Sequence, residues 1–587
     1  MARRGTDLVA VFQMPGNSPC SPGDRPISAS LKPVGYWYTQ AGERRSGGQH
    51  AADAGAAPLP GESEARETPP DGPGSGEGRR PRARRAGEAL AWAAGAAALL
   101  FVLVRVARTV APPADAASLA LQAHDLFHGN VLLHGWLVGD VTFYTFELPV
   151  FALAEAFFGL HVAAVQAAMA LIDLIVAACG VAVAVTGSRG TARAGRAVVV
   201  VAVICAPDLV TADRWLAIGL PDHTGTTVFL LLGCLLVDRA LDWRWTAPLL
   251  CLLLGAGQLG DATVRYVYVP AIVLVCALQI ARTRTLRSAD TAIVAAALGS
   301  VPLSLAVRAV LRHLGAYQMV APSTAIAPIS SWAHNVAATW QELRTVFGAQ
   351  APGVLSALGP LFGWACLLAV AVGFGWTLSR WRTAQRVDQV LVVAIAVNLG
   401  VYAVSTMALR VTPQELTGVP VLGAVLAART LMPASLPRPW AAALAAPVLA
   451  AALVPLCLVA TQPSAFPYRQ PLAVWLQTHG LRHGLAMYWA APQVTLLTSG
   501  EVQVRAVIAA DGKINPFEWE TQNSWFNPAE HYANYVACLR SYPLFTRTAE
   551  RVFGRPASIG YVGDWAILIY HRNLIEQVSP VVLPATQ

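Results

Sequence analysis

The chain has 587 residues, 55% hydrophobic and 13% charged, with a formal net charge of +8. Its mean hydropathy of +0.49 lies far outside the range of soluble globular proteins and calls for many membrane spans. The excess of positive charge does not indicate nucleic acid, because the arginines stand in short connections between apolar runs, where they act as orientation signals.

Residues 1 to about 87 are rich in Gly, Pro, Ser, Glu and Arg and end in GRRPRARR. They lack sustained periodicity, so a disordered tail is expected. No charged n-region and apolar h-region open the chain, which argues against a cleaved signal peptide. The basic cluster before the first span predicts a cytoplasmic N-terminus.

Apolar segments follow at about 88–111, 161–186, 197–211, 224–240, 246–261, 266–281, 289–311, 351–378, 388–409, 416–430 and 440–461. Most approach the length needed to cross a bilayer, so about eleven spans are expected. Arg189, Arg193, Arg196, Arg239, Arg244, Arg282, Arg284, Arg287, Arg380, Arg382, Arg386, Arg429 and Arg438 all fall in connections on the N-terminal side. That charge bias predicts N-terminus in and C-terminus out.

The first connection on the other side, 112–149, concentrates Asp115, Asp125, Asp140, Glu147 and three histidines. Pro112 and Pro113 mark a helix start, and Gly129–Asn130 a stop, so a short helix is expected near 114–128. At 100° per residue Asp115, Ser118, Gln122 and Asp125 share an arc of about 80°. Two carboxylates on one side suit a catalytic loop. The competing view makes Asp115 a helix-start residue and Asp125 a solvated one.

Three further connections bring unusual polar groups to the same face: TADRWLAIGLPDHTG, GDATVRY and RVTPQELTG. They contribute Asp213, Arg214, Asp222, His223, Asp261, Arg265, Arg410 and Glu415. Solvation explains many such interface residues singly, but Asp261, flanked by apolar sequence at a span end, is harder to explain that way. The loop 312–350 holds Trp332, His334 and Trp340, and its second half predicts an amphipathic helix lying on the membrane.

From 462 onward the composition is that of a small extracytoplasmic α+β domain. PLAVWLQTHGLRHGL predicts a helix, AMYWAAPQVTLLT and EVQVRAVIA strands, SYPLFTRTAERVFG a helix and ASIGYVGDWAILIYH a closing strand of an antiparallel sheet. Its aromatic patch FEWETQNSWFNPAEHY suits either core or sugar contacts. Seven of the nine cysteines lie in apolar runs, Cys20 lies in the tail and Cys538 alone lies in this domain. Without any CxxC spacing, neither a redox role nor a structural zinc is expected.

The layout and the motifs D-x-x-S at Asp115, GN-x-LLHGW with Asn130 and Trp136, TFYTFELP with Glu147, PDHTG and LGDATVRYVYVP resemble the GT-C superfamily of membrane glycosyltransferases, in an actinobacterial-type multi-pass form. The resemblance covers about residues 88–587. It departs from stricter patterns: no DxD stands in the first loop, Asp115–Ala116 replaces a paired Asp-Glu, and TFELP replaces TTELP.

The resemblance implies a mainly α, polytopic fold with domains at 1–87, 88–461 and 462–587, in the cell membrane. It also implies a hexosyltransferase that moves a sugar from a polyprenyl-phosphate donor to a glycan, lipid or protein acceptor with inversion. Asp115 would be the base, with Asp125 beside it, while Glu147 orients the acceptor and Arg265, Arg410 and His223 hold the departing phosphate. Asn130, Trp136, Asp222 and Asp261 complete the expected substrate contacts. A helix start should keep Asp115 ionised. No soluble cofactor is required, and a divalent cation is the one cofactor left open. A transporter or lipid flippase would put its ionisable groups near the midplane of broken, repeated helices, and a scaffold with a cell-wall-binding domain would not need the acidic loop. An O-antigen-ligase-like enzyme would need a larger late loop than 312–350.

Overall fold

A computed structural model describes residues 80–205, 218, 223–238, 243–286, 288–320, 324–350, 358–410, 412–434, 437–465, 467 and 469–578. Contacts separate residues 1–89 from 90–587. Of the expected tail, 1–79 lie outside the described residues, and helix α1 (Arg80–Ala107) already begins within its last residues.

The protein is a membrane protein of mainly α structure with a C-terminal α+β region. Six helices are long and apolar enough to cross a bilayer: Ala86–Ala107, Val162–Ala184, Val264–Thr283, Ala289–His313, Leu358–Ser379 and Arg386–Val404. Among the described residues these six stand against the eleven expected. The other apolar segments do carry helices, among them Thr191–Cys205, Thr227–Asp238 and Gly418–Leu431. Twelve residues of helix, as in Thr227–Asp238, extend only about 18 Å, short of a hydrocarbon core of about 30 Å.

Gly418–Leu431 explains why an apolar run need not be a lipid-facing span. Every residue from Gly418 to Arg429 is buried, as expected of a helix apolar on all sides. Its neighbours approach through small residues: a Cβ at Gly423 would lie 2.6 Å from Val370, and one at Gly373 would lie 3.3 Å from Ala427. This helix is the axis of the bundle.

Between α1 and the next span, α2 (Ala114–Phe127) starts after Pro113 and stops at Gly129, whose φ of 102° favours glycine. Helix α3 (Glu147–Phe158) packs beside it and also ends at a glycine, Gly159 with φ 65°. Strand β1 (Trp136–Val138), in the loop between them, pairs in parallel with β2 (Gln318–Met319) and antiparallel with β6 (Thr521–Gln522). This small sheet ties the first loop to the 312–350 loop and to the C-terminal region.

The helix expected late in that second loop forms over Trp332–Val346, with Asn335, Thr339 and Glu342 buried and Val336 and Trp340 exposed. Its polar stripe faces the protein and its apolar side faces outward, which suits a helix at a membrane interface.

The C-terminal sheet corrects the sequence expectation. Its six strands are β3 (His483–Met487), β4 (Gln503–Ala510), β5 (Lys513–Pro516), β7 (Tyr535–Leu539), β8 (Ser558–Val562) and β9 (Trp565–Ile569), in the order β5-β4-β3-β7-β9-β8. The centre is parallel, β4 and β7 both flanking β3 in that sense, and only the edges are antiparallel. The parallel pairing follows from Ala491–Leu497, which forms a crossover helix where a strand was expected. The expected single closing strand is a hairpin, turned at Gly563 with φ 53°.

Two glycines on one helix test this packing. A Cβ at Gly363 would stand 2.3 Å from the backbone oxygen of Phe347, whereas one at Gly375 would meet nothing within 4 Å. Gly363→Ala should destabilise by about 1–3 kcal/mol and Gly375→Ala should be neutral or mildly stabilising, read as opposite movements of the melting midpoint in detergent.

Candidate active site

The helix start at Pro113 places Asp115 in the first turn of α2, half-buried against the C-terminal region. Its Oδ1 lies 2.6 Å from the hydroxyl of buried Tyr488, which lies 2.9 Å from Oε2 of Glu520. One hydroxyl proton serves only one of these oxygens, so the second contact needs a protonated carboxyl. Asp115 fits that role: burial raises its pKa, against the opposing bonds from Tyr488 and its own backbone. The helix start, which favours the ionised form of Asp115, is thus opposed by desolvation, which raises its pKa.

A second cluster forms where three connections meet. His223 Nδ1 lies 2.6 Å from Asp261 Oδ2 and its Nε2 lies 3.0 Å from Glu415 Oε2. Asp261 also accepts bonds from Thr226 Oγ1 and the Thr263 backbone N–H, both at 2.7 Å. Burial disfavours the charge on His223, but Asp261 and Glu415 outweigh it and hold the imidazole well above its ordinary pKa. Burial likewise opposes the charge of Asp261, yet the imidazolium and the threonine bonds keep its pKa low. With a carboxylate on each ring nitrogen, His223 is an imidazolium.

The first loop closes over this cluster. The backbone N–H groups of Thr142 and Phe143 donate to Gly260 O at 2.8 and 3.3 Å. A Cβ on Gly225 would lie 2.3 Å from Glu147 Oε1, so Glu147 sits directly on the PDHTG turn. Asp140 is half-buried here, its pKa raised by burial and then by Glu415. On its other side the preceding Gly139 packs under Trp519, whose ring would be 2.9 Å from a Cβ there.

Next to the acids stand two arginines with neutral partners. Arg265 lies in a π-turn, Val264–Tyr268, four residues after Asp261, a form frequent at functional sites. Its Nε donates to Gln258 Oε1 at 3.2 Å and its Nη2 to Ser304 Oγ at 3.3 Å. Arg308 donates from Nη2 to Gln258 O at 2.9 Å, and its Nε is buried without a partner. Among the described residues neither pairs with a carboxylate. Two guanidinium groups sharing one glutamine are well suited to an anion.

The remaining expected residues are placed differently. Asp125 accepts from Trp136 Nε1 at 2.7 Å; Trp136 is fully buried and meets Trp525 edge-on, and Arg505 lies over Trp525 at 4.2 Å. Burial lowers the Arg505 pKa to about 9, with Asp125 partly restoring it. Asp125 is thus turned toward Trp136 and not toward Tyr488. Asn130 is used within its own turn, accepting from His134 N–H at 2.7 Å. Arg410 is exposed at the end of a short 3-10 helix. Asp213, Arg214 and Asp222 lie outside the described residues. Glu520 lies in the patch FEWETQNSWFNPAEHY, while Arg308, Tyr488 and Arg505 were not singled out; Arg308 carried a signal, as a charge inside an apolar span.

No family model and no curated protein matches the chain. Among solved structures it is similar to ArnT from Cupriavidus metallidurans bound to undecaprenyl phosphate, at 13% identity and TM-score 0.48, over 84% of this chain and 99% of that one. It is also similar to the apo state of that protein, at 13% identity and TM-score 0.38, over 84% and 100%. Both scores lie below 0.5, and the chemistry rests on the residues above.

Removing the imidazolium should be expensive. His223→Leu leaves Asp261 and Glu415 facing each other, with an expected loss of about 3–5 kcal/mol in unfolding measured in detergent. The folded pKa of His223 is raised above its unfolded value of about 6.5. Its contribution is therefore complete below that pH and fades as pH rises through the folded value. Melting of the wild type should weaken on the alkaline side, and His223→Leu should flatten that slope.

Proposed function

We propose that the protein is a membrane glycosyltransferase that moves a sugar from a polyprenyl-phosphate-linked donor to an extracytoplasmic hydroxyl acceptor, with inversion. The observation that carries this is a cluster of acidic groups beside an arginine pair with neutral partners, joined through the single segment Gln258–Asp261–Arg265. A transferase of this kind needs a proton acceptor and an anion holder a short distance apart.

The acceptor O–H attacks the anomeric carbon, its proton passes to Asp115, and the bond from that carbon to the phosphate oxygen breaks on the opposite face. Arg265 and Arg308 hold the departing phosphate. His223 acts as a positioning residue, fixing Asp261 and Glu415 and through them the cleft wall. Glu147 and Asp140 orient the acceptor, and the lipid tail lies between spans.

In this proposal the cleft and the region from 462 onward are extracytoplasmic, and residues 1–87 and the arginine-rich ends are cytoplasmic. The arginine side is well knit: Arg196 donates to Ala184 O and Met432 O, and Arg429 pairs with Asp388 at 2.5 Å. Gly418, at the other end of Arg429's helix, packs on Thr227 beside the cleft, about 16 Å away along the axis.

Transfer of radiolabelled sugar from a panel of polyprenyl-phosphate sugars in membranes tests the proposal. Asp115→Asn should lower the rate by about 10²–10⁴ at normal expression, and undiminished transfer would overturn its role as base. Because only ionised Asp115 accepts a proton, kcat/KM should rise with pH, the acid limb lying above the ordinary aspartate pKa of about 3.9. Arg308→Met should weaken binding of polyprenyl phosphate by about tenfold or more, as expected for a lost charge-assisted hydrogen bond of about 1.5–3 kcal/mol. No transfer from any donor by folded wild type would turn the assignment toward transport or scaffolding.

A further inference from the structure

Away from the cleft, the far end of α2 carries a second constellation. His124 lies in its last turn, His128 follows at the C-cap, and Glu155 reaches across from α3. The two histidines are four residues apart, the spacing that puts both imidazoles on one helical face. Two histidines and a glutamate form a recurrent zinc ligand set.

His128 Nδ1 lies 2.7 Å from the backbone oxygen of His124. A carbonyl only accepts, so Nδ1 donates in this contact and Nε2 is the ring nitrogen left to face a ligand. This backbone contact is the outer-shell bond that orients metal-binding histidines. His124 Nδ1 meets Oε1 of Glu155, which is buried. One ligand atom from each of the three residues lies within 4.8 Å of the others. The imidazole centroids are 4.1 Å apart.

Closing these atoms onto one ion at about 2.0–2.2 Å requires movement mainly of His128, the exposed member of the three. The end of a helix, with its outward carbonyls, also favours a cation.

We propose that His124, His128 and Glu155 bind one zinc ion that clips the end of α2 to α3, with water in the fourth position. The lack of CxxC spacing excluded a thiolate site only, and two histidines with a glutamate need none. The ion is a positioning element: α2 begins with Asp115 and α3 begins with Glu147, so a clip at their far ends fixes the angle between the two carboxylate-bearing helices. The site does not depend on the proposed transferase activity.

The test uses tag-free full-length protein in detergent, stripped with chelator and titrated with zinc, then with cobalt(II) as a spectroscopic probe. The expected result is one zinc per chain and a four-coordinate cobalt absorption. His128→Gln, at an exposed position that leaves the fold intact, should weaken zinc binding at least tenfold and abolish the cobalt band. Glu155→Gln should do the same, and Asp140→Asn should do neither. A wild type that takes up no zinc would overturn the proposal and leave His124 and Glu155 as a plain ion pair, and so would unchanged binding in His128→Gln.

Discussion

The bond pattern of one imidazole fixes the cleft. His223 comes from the turn before Thr227–Asp238, Asp261 from the end of Trp243–Gly260, and Glu415 from the short helix before Gly418–Leu431. A charged ring between two carboxylates gives these three turns a common anchor. Burying such charges is unfavourable unless every polar atom is satisfied, and the added bonds from Thr226 and the Thr263 backbone meet that condition for Asp261.

That anchor also divides the electrostatics. His223 neutralises one of its two carboxylates, so with Asp140 and Glu147 the wall keeps an excess of negative charge. The guanidinium groups of Arg265 and Arg308 sit one helical turn along and are held by Gln258, Ser304 and no carboxylate among the described residues. If Asp261 faced Arg265, the arginine would be neutralised and of little use to an anion. By occupying Asp261, His223 leaves the cations with charge to spare.

Local grammar carried much of this. Prolines and glycines bounded α2 as they stand, and the clustering of acids in 112–149 marked the loop that lines the cleft. Sequence spacing also singled out His223, Asp261, Glu415 and Arg265, but not which of them pair, because they lie in different connections. The C-terminal sheet was misread for a different reason. The run AMYWAAPQVTLLT is apolar with mixed periodicity, and a short buried helix and a buried strand then look alike. Its identity as a helix decides the parallel pairing of β3 and β4, so one ambiguous element altered the topology. Span number is hard to read from hydropathy because a helix buried by its neighbours, as Gly418–Leu431 is, is as apolar as one buried by lipid.

The protonation of Asp115 shows where such legibility ends. Within its own helix the residue has every reason to be ionised, lying in the first turn beside unsatisfied N–H groups. Its environment, however, is supplied by Tyr488, 373 residues later, and by Glu520 beyond that. Those groups place a second acid within reach of the same hydroxyl, and burial there raises the Asp115 pKa against the pull of α2 and of the Tyr488 bond. A base whose pKa is raised toward the working pH takes a proton more readily once ionised. The C-terminal region therefore acts on a residue at the start of α2 in two opposing ways: burial against it raises the Asp115 pKa, and the bond from Tyr488 lowers it.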